Sequence, residues 1–204
     1  MTIVMIKSIC MILSFLGLCI NIFAQNISDS LRSSSEKINQ IYIETDPTTY
    51  FFNGFSLAVR RSATFHKKLN IGLGIYKTTI PDFYIEAEES NKNKGWKAKN
   101  LGIDGFFDYY FFNPNKGLSV GLTLSLYNFT IERVGIKTNY YSFIQTLRAG
   151  YLWRPFNKFD SVYIFPWIGI STNQKISGNN VIEGETFTTP KVSIVPSLQI
   201  GFSF

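Results

Sequence analysis

Charged residues on the polar face of otherwise apolar segments are the first candidates for chemistry in this sequence. Asp104 and Asp108 share the face of Gly102 in one alternating segment, and Arg148 and Arg60 occupy the equivalent face of two others. An Arg or Lys turned toward lipid near the middle of a membrane would cost about 2–4 kcal/mol. We therefore expect an interior, water-poor network in which Asp104 and Asp108 meet Arg148, with Arg60 as a further member, and which plugs the interior.

These residues do not have the spacing of a catalytic pair. Two carboxylates four residues apart on a strand lie about 13 Å apart, too far to share a proton. The one histidine, His66, precedes Lys67 and Lys68 in a predicted turn, away from any serine or acidic partner. The sequence therefore predicts no catalytic residue, no metal site and no cofactor.

A mixed-charge segment is the best candidate for contact with a partner protein, because function concentrates on loops carried by a rigid scaffold. Its spacing matches no calcium-binding loop. A second polar stretch, 175–189, is the other candidate. The residues predicted for the partner-binding loop are Glu86, Glu88, Glu89, Lys92 and Trp96.

The first 25 residues have the features of an export signal. Lys7 precedes an uncharged run over 9–20, which is too short for a comfortable transmembrane helix, and Ala24 offers a small residue for cleavage before Gln25. Residues 26–36 form a polar segment before the predicted domain. Both cysteines lie inside the leader, so the exported chain would contain no disulfide and no thiol nucleophile.

Composition separates this chain from most soluble domains. Charged residues make up 17% and aromatic residues 16% of the sequence, against about 25% charged in an average soluble domain. The net charge of +6 is spread without a dense basic run, which argues against nucleic-acid binding. A mild positive balance suits contact with anionic lipid headgroups.

Alternation of period two dominates from residue 37 onward and predicts strands with two different faces. In the last segment, the even-numbered apolar residues alternate with Ser, Gln and Gly, and Val195 is the exception. We expect the apolar side chains to point toward lipid and the small polar ones toward a lumen. The predicted strands cover 37–45, 50–61, 68–79, 97–112, 117–133, 139–154, 161–174 and 190–204.

The links between these strands predict their orientation. The short links 62–67, 113–116 and 155–160 alternate with longer or more polar ones, of which 80–96 and 175–189 are the largest. Outer-membrane barrels have short periplasmic turns and longer outer loops. Every short link falls on the periplasmic side only if the brief segment 37–45 is the first strand.

Aromatic residues cluster near both predicted rims, as the girdles of a lipid-facing barrel require. By the short turns lie Tyr109, Phe111, Phe112, Trp153, Phe156, Phe159 and Tyr163, and by the loops lie Tyr50, Phe83, Tyr84, Trp96, Tyr140 and Tyr141.

With its leader, its alternating strands over 37–204 and its terminal segment, the chain resembles the small outer-membrane β-barrel proteins of the OmpA-transmembrane-domain and OmpX-like class. The final Phe204, preceded at every second place by Phe202 and Ile200, looks like the signal read by the barrel-assembly machinery. The resemblance implies an all-β, eight-stranded antiparallel up-and-down transmembrane β-barrel in the outer membrane of a Gram-negative cell.

The function expected from this class is non-enzymatic: a barrel with a plugged interior that supports the envelope or presents its outer loops to a protein partner. A lipid-modifying acyl hydrolase or transferase is an alternative, although it needs a Ser or His site. A soluble lipocalin-like barrel is another, and it requires the apolar faces to point inward. A small-solute pore is disfavoured, because Tyr163, Phe165 and Trp167 would fill a narrow lumen.

Overall fold

The computed structural model describes residues 40–113, 115–156 and 161–204. The predicted leader (1–25), the polar segment 26–36 and residues 37–39 of the predicted first strand lie outside the described residues. Among the described residues, no helix is long and apolar enough to cross a membrane.

The strands of the described residues are β1 Ile41–Thr45, β2 Phe55–Ala63, β3 His66–Ile80, β4 Lys97–Tyr110, β5 Gly117–Arg133, β6 Ile136–Leu152, β7 Val162–Gly178, β8 Val181–Ile182, β9 Glu185–Thr186 and β10 Val192–Ser203. Eight of them are antiparallel and close into a barrel in the ring order β1, β10, β7, β6, β5, β4, β3, β2. Strands β8 and β9 form a separate two-stranded hairpin within one loop.

The alternation places apolar side chains outside the barrel. Leu122 is 38% and Ile168 51% exposed, whereas Ser125 is 4% and Gln199 1% exposed on the lumen side. The closed ring of eight antiparallel strands confirms the predicted up-and-down barrel. Large apolar residues cover the outer surface of every strand. A lipocalin-like barrel would need the opposite arrangement of the two faces.

The brief predicted strand 37–45 is present as β1, whereas the predicted start of the next strand, at residue 50, is wrong. β1 joins the ring by pairing with both β10 and β2. Residues 50–54 are not extended, because a short helix, α1 (Thr48–Phe51), precedes β2. The Asp46 carboxylate starts this turn by accepting hydrogen bonds from the Thr48 backbone N–H at 2.8 Å and its hydroxyl at 2.5 Å.

One end of the barrel, here the turn end, carries three links: 64–65, 111–116 and 153–161. The opposite end, the loop end, carries the links 46–54, 81–96, 134–135 and 179–191. The 81–96 loop holds a helix, α2 (Asp82–Ile85), and a 3-10 helix, Glu89–Asn91.

The expectation that every short link lies at one end is wrong for the β5–β6 hairpin. Val134 and Gly135 have φ of 51° and 77° and form a two-residue turn at the loop end. Positive φ at both central positions is the mark of a type I′ turn. Strands β5 and β6 have 17 residues each, whereas a membrane-spanning strand needs about 9–11, so the hairpin extends beyond the apolar band.

Candidate functional site

The lumen is crossed by an ion-paired cluster centred on Asp108. Its carboxylate accepts hydrogen bonds from Arg148 Nε at 3.1 Å and Nη2 at 2.8 Å. The same carboxylate pairs with Arg60 Nη1. All three side chains are buried, so this bridge between β2, β4 and β6 is withdrawn from solvent.

Glu44 and Gln199 complete this cluster, hereafter the lumen network. Glu44 Oε1 lies 2.5 Å from Arg60 Nη2, while its Oε2 accepts a hydrogen bond from the Tyr163 hydroxyl at 2.8 Å. Arg60 Nη2 also donates to Gln199 Oε1 at 2.7 Å. Sequence reasoning missed Glu44, although its alternation with Ile43 placed it on the lumen face.

Strand register explains why these side chains meet. Asp108 is paired across the sheet with Gly121, which is paired in turn with Arg148, and Arg148 with Gly169. A Cβ at Gly121 would lie 2.0 Å from Asp108 Oδ1 and 3.1 Å from Arg148 Nε. The glycines of the lumen face are therefore spacers over which longer charged side chains from the adjacent strands lie.

Aromatic rings line the lumen network. The Arg60 and Arg148 guanidinium carbons lie 4.4 Å and 4.9 Å from the centroid of the Phe106 ring, within the range of cation–π contacts. Arg148 also lies 5.2 Å from the Trp167 ring. An apolar layer lies next to the lumen network on the side of the turn end, and it is formed by Tyr42, Tyr110, Leu152, Tyr163 and Phe165.

The predicted meeting of Asp104 with Arg148 needs correction. Within the described chain Asp104 makes no ion pair, and its Oδ2 accepts a hydrogen bond from the Tyr127 hydroxyl at 3.3 Å. The reason is distance along the strand, because four residues separate it from Asp108 by about 13 Å. Of the two aspartates, only Asp108 reaches the arginines.

A cavity of about 430 Å³ occupies the loop-end half of the lumen. Arg148, Asp104 and Phe106 line it beside the lumen network, and Phe83 and Tyr84 line it from the 81–96 loop. The interior is therefore packed near its middle and toward the turn end, but it is not filled over its whole length.

The loops form a second apolar core above the barrel, here the loop core. It contains Ile85, Trp96, Ala98, Phe129, Ile131, Tyr140, Ile182 and Phe187. Trp96 is 4% exposed and packs edge-on against Phe187, with ring centroids 5.4 Å apart. Trp96 is thus unavailable to a partner, whereas Glu86, Glu89 and Lys92 remain exposed and Glu88 is half-buried.

A change from small polar to large apolar residues along the lumen face of β5 could have predicted the loop core. Its lumen face runs Ser119, Gly121, Thr123 and Ser125, and then becomes apolar at Phe129 and Ile131. The predicted aromatic girdles need correction at three residues: Trp96 and Tyr140 lie in the loop core and Tyr163 lies in the lumen. Phe159 lies outside the described residues, and Trp153 is half-buried. The exposed girdle residues are Tyr50, Phe83, Tyr84, Tyr141, Tyr109, Phe111, Phe112 and Phe156.

Polar contacts tie the two large loops together. The buried Asn91 side chain donates to the Thr188 carbonyl at 2.7 Å and accepts from the Thr188 backbone N–H at 2.9 Å. Lys94 Nζ lies 2.6 Å from Glu185 Oε2. The Lys94 ammonium lowers the pKa of Glu185 below its usual value, chiefly by donating a hydrogen bond to the carboxylate.

The remaining predicted residues lie at the turn end. The His66 ring lies 5.7 Å from the Tyr109 ring at the start of β3. The Phe204 backbone N–H donates to the Ile41 carbonyl at 2.9 Å, which closes the barrel. Ile200, Phe202 and Phe204 are exposed on the outer surface, and their role as an assembly signal stays a prediction.

Comparison with solved structures relates this architecture to known barrels. The chain aligns with the N-terminal β-barrel domain of Pseudomonas aeruginosa OprF at TM-score 0.50 and 13% identity, covering 83% of this chain and all of that one. A major outer membrane protein from Thermus thermophilus aligns at TM-score 0.50 and 13% identity, covering 82% and 100%. Neisserial surface protein A aligns at TM-score 0.43 and 12% identity, covering 81% and 94%.

No protein-family profile and no curated protein matches the sequence. The fold is that of the OmpA-like, eight-stranded outer-membrane β-barrels, because the first two neighbours are matched over their whole length. At 13% identity the likeness defines the fold and leaves the activity to the residues themselves.

Proposed function

We propose that the chain is a non-enzymatic integral protein of the bacterial outer membrane, with a sealed interior and with outer loops that support the envelope or bind a protein partner. The lumen network carries this proposal. Two guanidinium groups and two carboxylates, from Arg60, Arg148, Asp108 and Glu44, interlock across the lumen at one level. An ion path through that level would require these pairs to separate in a buried site, which is costly.

The outer-membrane location is supported by the outward-facing apolar residues and by the fold of the structural neighbours. Insertion by the barrel-assembly machinery, guided by Phe204, Phe202 and Ile200, belongs to the same proposal. Cell fractionation and heat-modifiable gel mobility test it. Extraction by high salt without detergent would contradict membrane integration.

Single-channel recording of the purified protein in planar bilayers tests the sealed interior. We expect no conductance above that of the bare bilayer, with a porin recorded in the same membranes as the control for detection. Stepwise conductance of the wild-type protein would refute a sealed interior, and this result does not depend on whether the loops bind a partner.

The loop core supports the proposed presentation of a surface, because Asn91, Lys94 and Glu185 hold the two large loops in one arrangement. The exposed charges of Glu86, Glu89 and Lys92 lie on that surface. A photo-crosslinking residue at Glu89 should capture an envelope protein in intact cells. The matched control is Phe65, which is 79% exposed at the turn end, and equal labelling at both positions would contradict a loop-specific partner.

The non-enzymatic part of the proposal is tested against lipid modification. His66 lies at the turn end beside Tyr109. Mass analysis of outer-membrane lipids from cells with and without the gene should give identical acylation patterns. A missing or added acyl chain would favour the acyl hydrolase or transferase alternative.

A further inference from the structure

The barrel wall has a gap between β10 and β2 in its loop-end half. β1 is only five residues long, and its register with β10 ends at the pair Thr45 and Ile200. β10 continues to Val192, so residues 192–199 pair with β7 on one side and, among the residues that the structure describes, have no strand on the other. Helix α1 and its flanking residues lie in this gap, where Ser197 Oγ donates to Asp46 Oδ2 at 2.6 Å.

The backbone of β10 is adapted to this open edge. The Phe204 N–H is directed to β1, so every even-numbered residue of β10, including Pro196, directs its backbone polar groups to the same side. A proline is tolerated on an unpaired edge because it removes an N–H that no ladder bond needs.

The gap lies within the apolar band. Pro196 is eight residues from Phe204, which corresponds to about 26 Å along the strand and, at a tilt of about 40°, about 20 Å along the barrel axis. Since the apolar band of such barrels is about 25 Å tall, the gap opens toward the acyl chains of the leaflet at the loop end.

The lumen cavity reaches this gap. Its lining includes Tyr76 and Trp167 from the lumen and also Ile194 and Pro196, whose side chains lie on the outer face of β10. Ile194 is 70% exposed there. Val195, the apolar exception on the lumen face of β10, lines the same cavity. The cavity therefore extends from the lumen to the edge of β10 beside this gap.

Four buried polar atoms at the inner part of the cavity make no hydrogen bond within the described chain. They are donors or acceptors on Arg148 (Nη1), Trp167 (Nε1), Thr123 (Oγ1) and Asp104 (Oδ1). Burying such atoms without a partner costs free energy. A ligand that carries both an acceptor and a donor would satisfy them.

The cavity extends toward the lipid phase, so a lipid-like ligand is considered, and the charged residues of the lumen restrict the headgroup that it can carry. Two buried guanidinium groups, of Arg60 and Arg148, face four buried carboxyl groups, of Glu44, Asp46, Asp104 and Asp108. The arginines are already engaged by Asp108 and Glu44. An anionic headgroup would add to this carboxylate excess, and a cationic ammonium carries no acceptor for Arg148 Nη1 and Trp167 Nε1, so an uncharged headgroup with a carbonyl is favoured.

We propose that the cavity binds a single-chain amphiphile with an uncharged, hydroxyl-bearing ester headgroup, which enters sideways from the membrane between β10 and α1. The headgroup carbonyl accepts from Arg148 and Trp167, and a headgroup hydroxyl donates to Asp104. The acyl chain runs past Val195 and Pro196 to the lipid phase. The volume of about 430 Å³ lies within the roughly 300–1,000 Å³ usual for small-molecule sites, which are mostly apolar with a few polar groups.

Quenching of Trp167 by a monoacylglycerol with a brominated chain tests the proposal. The protein is placed in lipid nanodiscs in a Trp96→Phe, Trp153→Phe background, which leaves Trp167 as the one tryptophan of the sequence. We expect saturable quenching, weakened about tenfold by Val195→Phe, which narrows the passage, and unchanged by Ile170→Phe on the outer face of β7, away from the cavity. Heat-modifiable mobility reports whether each variant is folded.

A second variant and two other probes make the result decisive. Thr123→Val keeps the side-chain volume, removes one unpartnered hydroxyl and should weaken binding about threefold. Probes with the same chain and a carboxylate or phosphocholine headgroup should bind more weakly. Unsaturable quenching, equal quenching in Val195→Phe, or tighter binding of the carboxylate probe would overturn the proposal, and none of these outcomes depends on conductance or on a loop partner.

Discussion

Replacement of Asp108 by Asn should destabilise the barrel more than any other single loss of charge in the lumen. Asn has the shape of Asp but no charge, so the change leaves packing in place and removes the anion that pairs with Arg60 and Arg148. Arg60 keeps Glu44 at 2.5 Å, whereas Arg148 has no other ion-pair partner in the described chain. The uncompensated buried charge is therefore that of Arg148.

The magnitude follows from the contacts. Asp108 accepts two hydrogen bonds from Arg148 and one from Arg60, and hydrogen bonds to charged groups contribute about 1.5–3 kcal/mol each. The amide of the Asp108→Asn variant would retain one acceptor oxygen, so only part of this sum is lost. Breaking a buried ion pair by removing one partner costs about 3–5 kcal/mol, and we expect a loss of unfolding free energy in that range.

Equilibrium unfolding in urea, with the protein reconstituted in lipid vesicles, measures this loss. The double variant Asp108→Asn, Arg148→Met should recover most of the stability, because removing both charges of a buried pair is often nearly neutral. Glu89→Gln, at an exposed carboxylate of the 81–96 loop, is the control and should change stability by less than about 0.5 kcal/mol. A loss below about 1 kcal/mol for Asp108→Asn, or no recovery in the double variant, would refute the reasoning.

Three further predictions concern the spacers, the tight turn and the loop contact. Gly121→Ala places a Cβ 2.0 Å from the carboxylate of the lumen network and should slow folding into vesicles, whereas Gly105→Ala, with its nearest contact at 3.7 Å, should fold normally in the same gel-mobility assay. Val134→Asn should raise the unfolding free energy by about 1 kcal/mol, since a β-branched residue at φ 51° is strained in a type I′ turn; an unchanged urea midpoint would contradict this. Lys94→Met should raise the pKa of Glu185 toward its ordinary value in a carbon-detected NMR titration, because Lys94 is the main cause of the lowered pKa. In the wild type the stabilisation by the pair is present above the ordinary pKa and is lost as the pH falls through the lowered one. An unshifted wild-type titration would contradict the pairing.

The sequence predicted the strands well because one physical rule acts on every residue of a membrane strand. At the level of the bilayer the outward side chains must be apolar, and small polar residues are tolerated only on the lumen face, so the alternation in β5 and β10 predicts both the element and its orientation. The start of β2 was misjudged because the hydrogen bond from the Thr48 N–H to Asp46 and the positive φ of Asn53, 51°, form a local turn that the apolar run 50–52 conceals.

The site was predicted less completely, because it depends on register. Asp108 and Asp104 are equivalent in the sequence pattern, and only the pairing of Asp108 with Gly121 and Arg148 places one of them in the lumen network. The position of Trp96 depends on two loops folding over the extended β5–β6 hairpin, and such contacts between distant segments leave little periodic signal.

The sequence by itself determined the class of fold, the two faces of each strand and four of the buried charges, those of Asp104, Asp108, Arg148 and Arg60, because these follow from local alternation and from the cost of placing charge in lipid. Only the tertiary structure decided which carboxylate meets which guanidinium, that Glu44 completes the cluster, and that the short β1 leaves β10 with an open edge. These features depend on register and on the relative lengths of strands that are neighbours in space and distant in the chain.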